Sequence, residues 1–357
     1  MKMYFTLGEA THLRYLFPLA RQFSLQGGTP VFLPFSKGKY NCIKRYEKIL
    51  KKLASSINAE INWLPGFKKT GEIIFCVEGA KGDENRFASG LIPQDNRVIT
   101  LVSQLDFLHN FYIYKECSES IIFPSNFLMR CGHPELSANT FEPFNPKNIA
   151  IGSPKYDVVF NKDKILQKYK LSSRPKVLFI YPSPSSIGCQ FGPLYNNKKD
   201  RGLGDDEIIK MYKILNELGF EILVKNRGKF DNIEEKLKGD HYFLDPSWFP
   251  HDTMQLISIS DLVINADSTA IKEIVMGKKP VINFDLFNKD AYGKGFDFLY
   301  KYNYCREFYG FPSAKDFVDA CKFLVSTNLK DEFDKSITNH LFKAGSSSKN
   351  ILHYVLN

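Results

Sequence analysis

The sequence predicts an α/β protein of two doubly wound domains facing across a cleft, with helices at the C-terminal end. Three observations predict it. Short apolar runs alternate with helix-period segments in both halves, the pattern of parallel strands joined by helical crossovers. At 357 residues the chain is too long for one compact core and comfortable for two. A loosened, turn-rich stretch over Asn145–Arg174 separates two series, and the second restarts on a clear strand. The expected boundaries are a first domain over 1–155, a second over 174–330, and helices over 331–357 that pack back across the domains.

In the first half, Lys2–Leu7 is a strand and Gly8–His12 a Gly-containing loop. Leu13, Leu16, Phe17, Ala20 and Phe23 recur at helical spacing over Leu13–Leu25, and Gly27-Gly28 ends that helix. Pro30–Pro34 is the second strand and Asn41–Ser56 a basic helix. Further strands lie at Ile73–Val77, Val98–Val102 and Ser120–Phe123. The second half opens on the strand Lys176–Tyr181, followed by a long polar loop. Asp205–Leu218 is a helix, Phe220–Val224 a strand, Ile233–Lys238 a helix, Tyr242–Leu244 a strand and Asp252–Ile259 a helix. Leu262-Val-Ile is a buried strand, Ala270–Met276 a helix stopped by Gly277, and Pro280–Phe284 the next strand. Helices return over Ala314–Val325, Asp331–Leu341 and Ser347–Val355. Two Rossmann-like halves of similar size fit this order.

Composition narrows the class. Hydrophobic residues make up 43% and charged residues 24%, ordinary for a soluble globular chain. No apolar run approaches the roughly 18 residues of a membrane-crossing helix. Met1–Glu9 reaches a carboxylate before any long apolar stretch, unlike a secretion signal, so a cytoplasmic location is expected. Seven cysteines, at 42, 76, 117, 131, 189, 305 and 321, are scattered without a CxxC pair, which argues for reduced thiols and against a zinc site. The net charge of +9 points to anionic partners. No nucleic-acid-reading signature appears, so nucleic acid is set aside. The densest basic stretches, Lys37–Lys52 and Lys162–Lys176, suit solvated helix faces as well as an anionic surface.

Ligands of open α/β sheets bind beyond the carboxyl ends of the strands, and four such places carry suitable groups. In the first, Gly8 is followed by Glu9, Thr11 and His12, and Glu9 and His12 are candidate catalytic proton-transfer groups. A solvent-exposed cap region would have the same pattern. No G-x-G-x-x-G is present, so a nicotinamide or flavin cofactor is not indicated. In the second, Ser183 and Ser185 of Pro182–Gly188 can donate to phosphate oxygens, although Ser/Pro loops are common. In the third, Lys225 and Arg227 close the apolar strand Ile222-Leu-Val, where a cation would neutralise a phosphate; an ordinary surface pair is the alternative. In the fourth, Asp267, Ser268 and Thr269 are N-cap residues directly past a strand, where free N–H groups and the positive dipole end meet an anion. Glu273 lies one turn further, in reach of a ribose or sugar hydroxyl. A capped crossover helix alone would also fit. No Asp-x-Asp triplet is placed to hold a divalent ion, so neither metal nor cofactor is expected. Phe296, Phe298, Tyr300, Tyr302 and Tyr304 recur every second residue, which suits contact with an acidic polymer or membrane, or one buried strand face.

The segment Asp261-Leu-Val-Ile-Asn-Ala-Asp-Ser-Thr-Ala-Ile-Lys-Glu-Ile-Val-Met-Gly-Lys-Lys-Pro-Val-Ile resembles the donor-binding signature of the GT-B glycosyltransferase superfamily. It is nearest to CDP-glycerol glycerophosphotransferases and capsule Kdo transferases, and UDP-N-acetylglucosamine 2-epimerases carry a similar segment. Val224-Lys-Asn-Arg is similar to the family's strand ending in Lys. Gly152-Ser-Pro-Lys-Tyr-Asp157 resembles its Gly-x-Pro-(Arg/Lys)-x-Asp turn, and Ala344-Gly-Ser-Ser-Ser-Lys-Asn-Ile351 its Gly-x-Ser-x-(Lys/Arg)-x-Ile ending. Gly8-Glu-Ala-Thr-His-Leu-Arg-Tyr-Leu-Phe-Pro-Leu-Ala20 is similar to its acceptor-side loop and helix. The resemblance covers the second half well and the first loosely. It implies a metal-independent transferase that moves a sugar or polyol phosphate from a nucleotide-sugar or CDP/CMP-linked donor to a glycan or lipid-linked acceptor in capsule or lipopolysaccharide synthesis. The basic surface and the aromatic stretch Phe296–Phe311 suit work on an acidic polymer or peripheral docking at the inner face of an anionic membrane. The phosphate grip would be Lys225, Arg227, Ser183, Ser185, Ser268 and Thr269, with Glu273 on ribose or the transferred group and His12 or Glu9 as general base. An epimerase and a non-catalytic partner of a polysaccharide-synthesis complex are the alternatives. Two departures stand out: the family's Lys-x-His-Pro is Lys225-Asn-Arg here, and the epimerases' Asp-Ser-Gly-Gly is Asp267-Ser-Thr-Ala.

Overall fold

The computed structural model describes residues 1–35, 43–77, 95–102, 120–126, 148–181, 204–226, 233–244, 249, 251–266, 268, 270–285 and 297–357. The chain divides into two compact units, Met1–Val159 together with Asn339–Asn357, and Phe160–Thr338.

In the first unit β1 (Lys2–Leu7), β2 (Thr29–Pro34), β3 (Glu60–Ile61), β4 (Ile73–Val77), β5 (Arg97–Leu101), β6 (Ser120–Phe123) and β7 (Asn148–Ala150) form a parallel sheet in the order β3-β2-β1-β4-β5-β6-β7. Alternation along the strands splits the core between two faces. Tyr4, Val31, Leu33 and Ile74 pack on one face with Phe35, Leu64 and Phe67. On the other, Phe5 stacks on Phe75, and Phe32 on Phe17 of α1 (Leu13–Leu25). The basic helix is shorter than its pattern: a 3₁₀ turn over Ile43–Tyr46 precedes α2 (Glu47–Ser55), which buries Leu50 and Ala54 and exposes its lysines.

The second unit starts with α3 (Lys162–Tyr169) and alternates β8 (Lys176–Ile180), α4 (Asp205–Glu217), β9 (Glu221–Lys225), β10 (His241–Phe243), α5 (Asp252–Ile259), β11 (Leu262–Asn265), α6 (Ile271–Met276), β12 (Val281–Asp285), α7 (Asp297–Tyr300) and β13 (Cys305–Tyr309). Its parallel sheet runs β10-β9-β8-β11-β12-β13. Strands β8, β9 and β11 read as continuous apolar runs because they are buried throughout. Two expectations fail locally. Ile233–Lys238 holds only a 3₁₀ turn, Glu235–Leu237. The aromatic alternation is not one strand face: Phe298 and Tyr300 sit on the short α7, and Tyr304 is a core residue before β13, stacked on Phe333 and bonded to Ser336 Oγ at 2.8 Å. Phe296 lies outside the described residues.

The C-terminal helices are α8 (Ala314–Ser326), α9 (Lys330–His340) and α10 (Ser347–Leu356). Helix α10 belongs to the first unit, where it packs on α1. Among the described residues no helix is long and apolar enough to cross a membrane.

Candidate functional site

The carboxyl edge of the second sheet carries a row of polar residues in register. Lys225 closes β9 opposite Ile180, the last residue of β8. Asn265 closes β11 opposite Asn283 of β12, which stands opposite Glu307 of β13. Residues at one register on neighbouring parallel strands share a face, and the side chains meet. Asn265 Nδ2 donates to Asn283 Oδ1 at 2.9 Å, to the Tyr300 hydroxyl at 3.3 Å and to Ser268 O at 3.4 Å. Asn283 Nδ2 donates to Glu307 Oε1 at 3.4 Å. At the other end of the row Lys225 is 4% exposed, and its Nζ donates to Asn226 O at 2.5 Å. Asn226 Nδ2 donates to the Tyr242 hydroxyl at 2.9 Å. Tyr181, whose N donates to Lys225 O, has its hydroxyl pKa raised by burial and by the nearby Asp205 and Glu234 carboxylates. The amide oxygens of Asn226 and Asn265 are shielded from solvent and have no hydrogen-bond partner.

The turn between β11 and α6 differs in detail from the expected phosphate cap. Ser268 Oγ accepts from Ala270 N at 3.3 Å and Ser268 O from Ile271 N at 3.1 Å, so this serine closes the turn. The helix residue preceding α6 is Ala270, with no side-chain cap. Glu273 is 7% exposed, beside the equally buried Lys272, and both are engaged with neighbours. Ser183, Ser185, Arg227, Asp267 and Thr269 lie outside the described residues. Of the expected donor-side groups, Lys225, Ser268 and Glu273 can therefore be placed: Lys225 is the last residue of β9, and Ser268 and Glu273 follow the end of β11, in the turn and in α6.

In the first unit the chain leaves β1 at Gly8, where a Cβ would come within 2.6 Å of the Phe35 ring. Phe35 N donates to Leu7 O at 3.0 Å, which pins that ring over the glycine. Glu9 is extended, accepts a 3.0 Å hydrogen bond on Oε2 from the Thr11 hydroxyl, and accepts His12 N on its carbonyl at 3.1 Å. Ala10–His12 is a 3₁₀ turn running straight into α1. His12 is thereby drawn into the helix start and buried, while Glu9 stays half-exposed with its carboxylate oriented by Thr11.

Two resemblance motifs prove to be a single structural joint. Gly152 sits at φ +121°, and a Cβ there would collide with Ser347 Oγ. Five residues on, Asp157 accepts from the backbone N–H groups of Gly345, Ser347 and Ser348 at 3.2, 3.0 and 2.5 Å, capping α10. Lys155 between them lies over the rings of Tyr15 and Tyr156. The Gly152–Asp157 turn and the Gly345–Ser348 ending thus hold the C-terminal helix to the first unit.

Sequence reasoning missed Asn226, Asn265, Asn283 and Glu307. A signal for two of them was present. Val-Ile-Asn occurs twice, at 263–265 and 281–283, and the two copies pair residue for residue. Asparagine is depleted in strands, so a doubled strand-end Asn marks a polar row. Among the described residues no group of three or more His, Cys, Asp or Glu side chains gathers to hold a metal ion.

These two parallel-sheet units have the GT-B architecture. Over the whole chain the structure is similar to the UDP-GlcNAc 2-epimerase of Neisseria meningitidis bound to UDP-GlcNAc, with 12% identity, 100% of each chain covered and a TM-score of 0.64. It is similar to a putative UDP-N-acetylglucosamine 2-epimerase from Listeria monocytogenes, with 10% identity, coverage of 99% and 95%, and a TM-score of 0.62. It is also similar to the wall teichoic acid polymerase TagF, with 15% identity, coverage of 100% and 88%, and a TM-score of 0.60. No protein-family model matches the sequence, and no curated protein matches it. Identities this low establish the fold.

Proposed function

We propose that the protein is a GT-B-type transferase that moves a sugar or polyol phosphate from a nucleotide-activated donor to a glycan or lipid-linked acceptor in surface polysaccharide synthesis, without a metal ion. The observation that carries this reading is the polar row at the carboxyl edge of the second sheet, with the buried Lys225 at a strand end where a phosphate group would be neutralised. The donor is a nucleotide-sugar or CDP/CMP-linked compound, a class supported by the UDP-GlcNAc and CDPG named with two similar structures. Arg227, Ser183, Ser185, Ser268 and Thr269 would complete the phosphate grip and Glu273 would take ribose or the transferred group. The general base is Glu9 or His12, with Glu9 favoured by its exposure and by the Thr11 bond that orients it. Removing the base should cost roughly 10²–10⁴ in rate. Turnover of Glu9→Gln and His12→Ala with a nucleotide-donor panel is the test, and near-wild-type rates for both would sink the assignment.

A second reading, a nucleotide-sugar 2-epimerase, is supported by whole-length similarity to the Neisseria enzyme. Incubation with UDP-GlcNAc alone separates the two, because epimerisation needs no acceptor. A non-catalytic partner would bind donor and turn over neither way. Peripheral contact with an anionic membrane at the cytoplasmic face fits the exposed Lys44, Arg45, Lys48, Lys51 and Lys52 on and before α2. Co-sedimentation with phosphatidylserine vesicles should fall as salt rises; binding insensitive to salt would remove this part of the proposal.

A further inference from the structure

The row Glu307–Asn283–Asn265 has a direction. A carboxylate oxygen only accepts hydrogen bonds, so Glu307 makes Asn283 turn its Nδ2 outward and its Oδ1 inward. That inward oxygen takes Asn265 Nδ2 at 2.9 Å, and the carbonyl of Ser268, a second acceptor-only group, takes the same Nδ2 at 3.4 Å. Flipping either amide would set oxygen against oxygen at one end of the row or the other. The Asn265 Oδ1 orientation is therefore imposed from both sides. This oxygen, on a residue 0% exposed, has no partner of its own. An unpartnered buried acceptor is destabilising, and replacing both strand asparagines with leucine would remove that cost.

We propose that the Glu307–Asn283–Asn265 row presents Asn265 Oδ1 as a fixed acceptor for a hydroxyl or N–H group of the bound donor. The proposal rests on the second unit being a nucleotide-donor site, and it names what this strand end recognises. Phosphate is excluded at Asn265 because its oxygens are acceptors too, so the anion belongs toward Lys225, at the other end of the row. Asn283 and Glu307 are positioning residues: they act through Asn265. Three parts of a nucleotide-linked donor offer the required chemistry: the N–H edge of the base, the ribose hydroxyls and the hydroxyls of the transferred group.

The test compares the full chain with the Asn265→Leu/Asn283→Leu double variant by calorimetric titration with UDP, CDP, UDP-GlcNAc and CDP-glycerol. The double variant should melt close to the wild-type temperature, since losing an unsatisfied buried amide offsets losing the bonds to Ser268 O and the Tyr300 hydroxyl, and it should bind its best ligand roughly tenfold more weakly. Weakened binding already seen with UDP or CDP places the contact on the nucleoside, base or ribose, and weakened binding of the linked donors only places it on the transferred group. Equal affinities for both chains overturn the row's assignment and leave the donor site standing. A wild-type chain that binds none of the four overturns the donor site and this inference together. Should the double variant not fold, Glu307→Leu removes the exposed carboxylate that sets the direction of the row. It should weaken the same ligand about threefold without lowering the melting temperature, and unchanged affinity there overturns the proposal.

Discussion

The amino and carboxyl edges of the second sheet are built from the same strands and treat buried polar groups in opposite ways. At the amino edge, Lys176 and Glu221 open β8 and β9 at 4% and 3% exposure. Lys176 Nζ donates to Ser172 O and Arg174 O at 2.7 Å each and lies 3.2 Å from Glu221 Oε2. Glu221 accepts from Ser172 N and Ser172 Oγ and faces His241 Nε2 at 2.9 Å. Burial alone would raise the Glu221 pKa, but the hydrogen bonds from Ser172, His241 and Lys176 bring it down to about 2. At the carboxyl edge, by contrast, the buried amide oxygens of Asn226 and Asn265 are left without partners. The difference separates two states of buried polarity: one network is saturated, and the other keeps hydrogen-bonding capacity unspent.

The largest expected effect tests the saturated edge. Glu221→Gln leaves the Lys176 ammonium buried without its counter-charge, which should cost about 3 kcal/mol of stability. The pH dependence has a definite sign. The folded pKa lies below the unfolded one, so the stabilisation is complete above the unfolded carboxyl value and is lost as pH falls toward about 2. Urea melts of wild type and variant between pH 7 and pH 3 should converge as pH drops. Parallel curves across that range would mean the network is not what fastens this edge. Nucleotide affinity of the folded variant should be unchanged.

How far the sequence disclosed these edges follows from what local pattern can encode. Most of the strand–helix order was legible because the central buried strands are apolar runs, and β1, α1, β6 and α5 match their expected limits residue for residue, whereas β3, β7 and β13, which are short or mixed in polarity, were not foreseen. Lys225 was legible too, as one of two cations, with Arg227, at the end of an apolar run. The amino-edge network was not, because Ser172, Lys176, Glu221 and His241 become neighbours only through strand pairing. The same holds for Asp157, whose partners lie some 190 positions away in the sequence. The β11–α6 turn was half legible: its strand–turn–helix order was visible, but the use of Ser268 to close its own turn depends on backbone geometry.

A smaller effect tests the open edge. Lys225→Met keeps the buried stem and removes the charge. It should weaken the best nucleotide ligand about thirtyfold, the equivalent of ~2 kcal/mol, within the range of a charge-assisted hydrogen bond. Its melting temperature should fall less than that of Glu221→Gln. A variant that loses stability as Glu221→Gln does, yet binds as tightly as wild type, would make both edges structural and erase the contrast.

The smallest effect isolates burial from chemistry. The first unit has its own lysine–glutamate pair at the amino edge of its sheet: Lys2, the first residue of β1, bonds both carboxylate oxygens of Glu60, the first residue of β3, at 2.5 and 2.7 Å. The geometry is shorter than at Lys176–Glu221, yet both side chains are 42% exposed. Water already solvates each partner, so little is lost when one is removed, and dissolved ions screen what attraction remains. A double-mutant cycle of Lys2→Met and Glu60→Gln should return a coupling of about 0.5 kcal/mol or less, and added salt should shrink it further. A coupling comparable to the loss at Glu221 would mean that contact distance, and not exclusion of water, decides what such a pair contributes.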